Sequence, residues 1–101
     1  MALTSKQRSQ LRGLASSMDT ILQVGKGGIT ENVIASADEA LRSRELIKGK
    51  VLENSMLTAR EACDALSAAC SAEPVQVIGT KFVLFRRNPK EPKIQLVKAK
   101  K

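Results

Sequence analysis

Between Val24 and Thr30 the chain reads Gly25-Lys26-Gly27-Gly28-Ile29, the one stretch whose residue types demand a special backbone. Glycine lets the chain turn with positive φ and brings backbone N–H groups close to a ligand. Lys26 places a full positive charge at the tip. Thr30 is a good N-cap and Glu31 suits a first helical turn, so a helix is expected to start there. Its free N–H groups and positive dipole end then face the same place. The chemistry this supports is contact with phosphate. A P-loop needs GxxxxGK followed by Ser or Thr, which is missing, and a dinucleotide GxGxxG needs glycine where Thr30 stands. What remains is the G-x-x-G of Gly25 to Gly28, a form that clamps nucleic-acid backbone in KH-type domains. Taken alone, a plain tight turn accounts for these four residues equally well.

Other basic residues extend the case. Lys48 and Lys50 alternate on one face of an expected strand, where a buried strand would be wholly apolar. An ordinary solvated face and direct RNA contact both explain them. Arg86 and Arg87 close the last expected strand, and the charge continues through Lys90, Lys93, Lys98, Lys100 and Lys101. From Met1 to Arg12 the bases Lys6, Arg8 and Arg12 stand without an acid. Between these ends the chain is close to neutral and slightly acidic, so the whole excess behind the net charge of +7 lies at the termini. Polyanions are the natural partners of such ends, with a merely solubilising tail as the bland alternative. Phe82 and Phe85 are the only aromatics. They fall on opposite strand faces and are expected in the core, so an aromatic stacking platform is not expected and recognition should lean on phosphate, sugar and shape.

Catalysis finds no foothold. The chain has no histidine, which removes the usual general base. Asp38, Glu39, Glu45, Glu53, Glu61, Asp64 and Glu73 stand singly, where solvated surface is the default. Cys63 and Cys70 lie seven residues apart on an expected helix, hence ~10 Å along its axis, too far for a disulfide. They read as buried apolar residues of a reduced, cytoplasmic protein. No metal, cofactor or small-molecule substrate is expected.

The elements that must position these residues follow from spacing and caps. Thr4 with Gln7 forms a capping box opening a helix to about Ser17. Thr20 to Val24 reads as a strand, Thr30 to about Arg44 as a second helix, and Leu46 to Leu52 as a second strand with Ile47, Gly49 and Val51 on one face. Thr58 with Glu61 opens an alanine-rich third helix to about Ala72, which Pro74 is expected to end. Val75 to Ile78 and Lys81 to Phe85 flank Gly79-Thr80 as a hairpin. The order α-β-α-β-α-β-β makes an α/β fold, a four-stranded mixed sheet packed by three helices. After Arg87, Pro89 and Pro92 punctuate a Lys-rich tail with little power to pack. At 101 residues, 43% hydrophobic and 27% charged, this is one globular domain. No run of 18 apolar residues and no apolar signal core are present, so neither a membrane span nor a secretory leader is expected. A transit segment over the basic first helix is the weaker alternative to an integral helix.

In order and spacing, LTSKQRSQLRGLA, LQVGKGGITENV, ELIKGKVLEN and VQVIGTKFVLFRR resemble the four signature blocks of the bacterial YhbY-like CRM-domain family, from about Leu3 to Arg87. The resemblance implies a fold similar to the C-terminal domain of a bacterial translation initiation factor. It implies a GxxG loop for RNA at Gly25, Lys26, Gly27 and Gly28, with further basic positions at Lys6, Arg8 and Arg86. It also implies association with precursors of the large ribosomal subunit, that is, ribosome biogenesis. Gly49 departs from the family's usual apolar strand residue, marking either a thinner core or a close backbone approach. The resulting expectation is a CRM (KH-like GxxG) domain over residues 1–87 with a basic tail over 88–101. It is a cytoplasmic, monomeric, non-enzymatic protein that grips ribosomal RNA through Gly25–Gly28, Lys6, Arg8, Lys48, Lys50, Arg86 and Arg87. A module docking on ribosomal proteins and a group II intron splicing cofactor are the alternatives.

Overall fold

A computed structural model describes residues 3–88, 90 and 92–96. The elements follow the expected order: α1 (Ser5–Ala15), β1 (Leu22–Val24), α2 (Glu31–Arg44), β2 (Leu46–Val51), α3 (Ala59–Cys70), β3 (Glu73–Ile78) and β4 (Lys81–Phe85). Local chemistry sets the helix starts. Thr4 and Gln7, and again Thr58 and Glu61, exchange reciprocal side-chain and backbone hydrogen bonds as capping boxes. The Thr30 hydroxyl accepts from Val33 N at 3.2 Å, so the first free amides of α2 begin just past the glycine loop.

The four strands lie in the order β1-β2-β4-β3. The β1–β2 pair is parallel and the other two pairs are antiparallel. Strand alternation then divides the core in two. Ile47 and Val51, with Leu22, Val24, Phe82 and Leu84, face α2 and α3. Leu46, Val83 and Phe85 face the other way, against Leu3, Leu11 and Ala15 of the α1 region. Phe82 and Phe85 are both buried, on opposite faces; each contributes roughly 2 kcal/mol by leaving water. Gly49 resolves in favour of close approach. It pairs with Phe82 across β2 and β4, and a Cβ at Gly49 would overlap the Phe82 ring.

Three expectations are corrected. Pro74 does not end α3: the helix closes one turn earlier at Ser71, which takes the left-handed conformation (φ 55°), and Pro74 lies inside β3. That is tolerated because β3 is an edge strand with a register shift between Pro74 and Gln76, where a missing N–H costs little. Glu45 is not solvated surface but fully buried. It caps α2 at φ 67°, and its carboxylate accepts from the backbone N–H of Asn88 (2.6 Å), Lys93 (2.8 Å) and Ile94 (2.8 Å). A buried charge is tolerable when it is hydrogen-bonded in this way. Consequently the segment after Arg87 packs, contrary to expectation: Ile94 and Leu96 lie against the α1-side core, and Gln10 Nε2 donates to Gln95 O at 2.8 Å. Lys98, Lys100 and Lys101 lie outside the described residues.

Candidate nucleic-acid interface

Because β1 and β2 are parallel, the loops that leave them emerge at the same end of the sheet. Leu52 N donates to Val24 O (2.8 Å), tying the two strand ends together. A side chain at Gly25 would touch Leu52 and Asn54, and one at Gly28 would touch Leu57, so the glycine loop lies against the 52–57 loop. Helices α2 and α3 both begin here. The β3–β4 turn arrives as well, with Val51 N donating to Thr80 O at 2.8 Å. One pole of the molecule therefore gathers the glycine loop, two helix N-termini and a hairpin tip.

Within the loop, Gly28 N donates to Gly25 O at 3.0 Å, closing a four-residue turn with Lys26 and Gly27 at its exposed corners. Only Gly28 takes positive φ (73°). Gly27 matters for bulk, not for φ: it leaves the tip bare beside Thr30. The turn thus offers a cation and an uncluttered backbone at the positive end of α2. Lys50 joins this pole. Its cross-strand partner is Lys81, and Gln23 pairs it on the other side. Like charges placed directly opposite are unfavourable in an isolated sheet, so this pair favours an anion near it. Lys81 was not singled out from sequence; only strand register brings it to Lys50.

The remaining nominated residues disperse. Arg8 lines an open groove of about 320 Å³ with Arg60 and residues Pro74–Val77, along the free edge of β3. Lys6 is exposed on the first turn of α1. Lys48 serves a purpose that sequence did not reveal: its ammonium donates to Ala15 O at 3.1 Å, capping the C-terminus of α1. Arg86 is likewise an internal brace. It donates to Asp38 Oδ1 (2.6 Å), Asp38 O (3.0 Å) and Cys70 O (2.9 Å), linking α2 to the end of α3. Its side chain stays partly exposed, so these bonds brace the fold without excluding contact at the surface. The hydrogen bond from Arg86 holds the Asp38 carboxyl below the usual range against the opposing effect of burial, with the charges of Arg86 and Arg42 adding to it. Arg87 is exposed at the opposite pole, beside Arg42 and Asn88.

Burial raises the Cys63 and Cys70 thiols above their ordinary range, so neither is disposed to act as a thiolate. Among the described residues no group of three or more His, Cys, Asp or Glu side chains could hold a metal ion. No helix among them is long and apolar enough to cross a membrane.

Comparison with known proteins gives this geometry a context. The CRS1 / YhbY (CRM) domain model matches residues 3–86. A Bacillus subtilis (strain 168) protein named Probable RNA-binding protein YqeI is 39% identical over 94 residues, covering 93% of this chain and 98% of its own. A Haemophilus influenzae protein named RNA-binding protein is 38% identical over 94 residues, covering 93% and 94%. The solution structure of SAV1595 from Staphylococcus aureus, presented as a candidate RNA-binding protein, superimposes with a TM-score of 0.79 at 45% identity. It covers 95% of this chain and 100% of that one.

Proposed function

The chain belongs to the CRS1/YhbY (CRM) domain family, and we propose that it is an RNA-binding protein that grips the backbone of ribosomal RNA during assembly of the large subunit. The observation that carries this reading is the exposed Gly25–Gly28 turn, with Lys26 at its tip and α2 starting behind it. Phosphate oxygens meet there a cation, a bare backbone and a helix N-terminus. Lys50 and Lys81 widen the positive surface, and Lys6, Arg8 and Arg87 supply charge further out. Lys48 and Arg86 hold the scaffold on which these residues stand. Buried aromatics leave little for base stacking, so contacts to phosphate and RNA shape carry most of the affinity.

Residues 1–87 form the RNA-binding domain in this reading, and 88–101 extend it. The protein works as a monomer in the cytoplasm, without a catalytic step. Free, buried cysteines suit a reducing compartment. Choice of large-subunit RNA rests on the family resemblance of the signature blocks.

Replacing Lys26 and Gly27 together with glutamate tests the site, since both are exposed and the change should leave the fold intact. Binding to a labelled stem-loop RNA should collapse while circular dichroism stays unchanged. Retained binding would remove the loop from the interface. With roughly five phosphates neutralised, wild-type affinity should fall about a hundredfold between 50 and 200 mM salt. A flat response would exclude an electrostatic grip. To test the choice of RNA, crosslinking in cells should recover large-subunit ribosomal RNA, and the protein should sediment with precursors of that subunit.

A further inference from the structure

At the pole opposite the glycine loop, a second set of cations stands on backbone tied to Glu45, and we infer that this carboxylate organises them into a second phosphate-binding cleft for RNA backbone. The inference rests on the RNA-binding reading above and adds a site to it. Glu45 directly precedes β2, whereas the loop lies at the far end of that strand, so roughly 20 Å of strand separates them.

The argument starts from the carboxylate. A fully buried charge needs hydrogen-bond donors, and Glu45 draws its three from the segment after the last strand. Asn88 tightens the same segment. Its Oδ1 accepts from Lys90 N at 3.0 Å, and its Nδ2 donates to Arg42 O at 3.4 Å. Charge that only keeps a protein in solution has no use for a fixed backbone, yet here the backbone bearing Lys90 and Lys93 is held at several points. An open groove of about 700 Å³ results, lined by Arg42, Ser43, Asn88, Lys90 and Lys93. Arg87 adjoins it beside Arg42.

The local charge balance favours an anion. Asp38, an acid on α2 near this groove, is shared by Arg86 and Arg42. The Glu45 charge faces inward, onto backbone amides. The C-terminal carbonyls of α2 oppose an anion with about half a charge, which Arg42, Arg87, Lys90 and Lys93 together exceed. Cations on an ordered backbone also lose less freedom on binding than cations on a loose tail. Two such sites on one rigid sheet convert the second contact into an intramolecular one. The chemical class taken is the phosphodiester backbone of RNA reaching both poles.

The test measures binding of a fluorescein-labelled stem-loop RNA across a salt series for four proteins: wild type, Lys90→Ala with Lys93→Ala, Glu45→Gln, and Lys26→Glu with Gly27→Glu. Loss of two phosphate contacts should lower the slope of log affinity against log salt by about 1.4 and weaken low-salt binding about tenfold. Glu45→Gln should weaken binding in the same direction while hydrogen exchange at the Lys93 and Ile94 amides accelerates. Should that variant fail to fold, Asn88→Gly loosens the same segment from the surface. Unchanged affinity and slope for the lysine pair, with binding lost in the loop variant, would overturn the cleft and leave the RNA-binding reading standing. Weakening by the lysine pair without weakening by the loosened segment would also overturn it, because the cations would then act as a free tail. If every variant bound as wild type does, the RNA-binding reading itself would fall.

Discussion

The two poles of the sheet present positive charge by opposite means. At the glycine-loop pole, four consecutive residues suffice: a turn closed by Gly28 N on Gly25 O exposes Lys26 in front of α2. At the other pole, presentation depends on contacts made across the chain, from Glu45 to Asn88, Lys93 and Ile94. The first device is cheap in sequence and almost independent of the core. The second ties the backbone that carries the surface charge to a buried group, so loosening that backbone should alter stability as well as charge presentation. Damage to the loop should therefore weaken binding alone, while damage to Glu45 should affect both.

The largest expected effect breaks that comparison at the Glu45 end. Glu45→Ala leaves three backbone donors without their acceptor and should cost on the order of 3–5 kcal/mol, read as a lower midpoint in urea unfolding and early proteolysis after Arg87. A loss under 1 kcal/mol would mean that solvent replaces the carboxylate and that the segment is not held by it. Next in size is the loop variant with Lys26 and Gly27 both changed to glutamate. Its stability should stay within about 0.5 kcal/mol of wild type, as for surface changes generally, while RNA affinity falls about a hundredfold. A stability loss comparable to that of Glu45→Ala would erase the distinction between the poles.

Smaller effects sharpen the contrast. Asp38→Asn removes the partner of Arg86 and should lower stability by about 1 kcal/mol near neutral pH, the pair being partly exposed. Because folding lowers the Asp38 pKa, its contribution is present above the unfolded carboxylate value and disappears as pH falls through the folded one. Urea titrations of wild type and variant should accordingly converge in acid; a constant gap would assign the loss to packing. Gly28→Ala, at φ 73°, should cost about 1 kcal/mol, whereas Gly27→Ala, at ordinary φ, should cost less than half of that. Equal costs would mean that the turn does not depend on the left-handed residue.

The same contrast explains how much was legible in the sequence. Both capping boxes, the Thr30 cap, the G-x-x-G turn and the order of elements depend on residues within a few positions of one another, and all four appear in the structure. Gly49 could be flagged as unusual, yet which side chain filled its place required the register that sets Phe82 opposite. The burial of Glu45 is not legible, because a single carboxylate between a helix and a strand has the composition of surface and its partners lie more than 40 residues away. The charge of Lys48 and Arg86 is legible, but their intramolecular partners are not. What separates them from Lys26 is the presence of Ala15 O in one case and Asp38 in the other, neither adjacent in sequence. Lys81 is the converse case, since its proximity to Lys50 exists only across the β2–β4 pair.

The placement of Pro74 has a consequence for how the protein behaves at high concentration. An open sheet has two margins along which a foreign strand could add, the usual route to self-association and fibre growth. Here one margin is β1, only three residues long, and the other is β3, where a residue lacking an N–H and a register shift interrupt the row of hydrogen-bonding groups. A concentrated solution of the free protein should consequently resist strand-by-strand aggregation, and Pro74→Val, by restoring a regular margin, is the change that would make it prone to it.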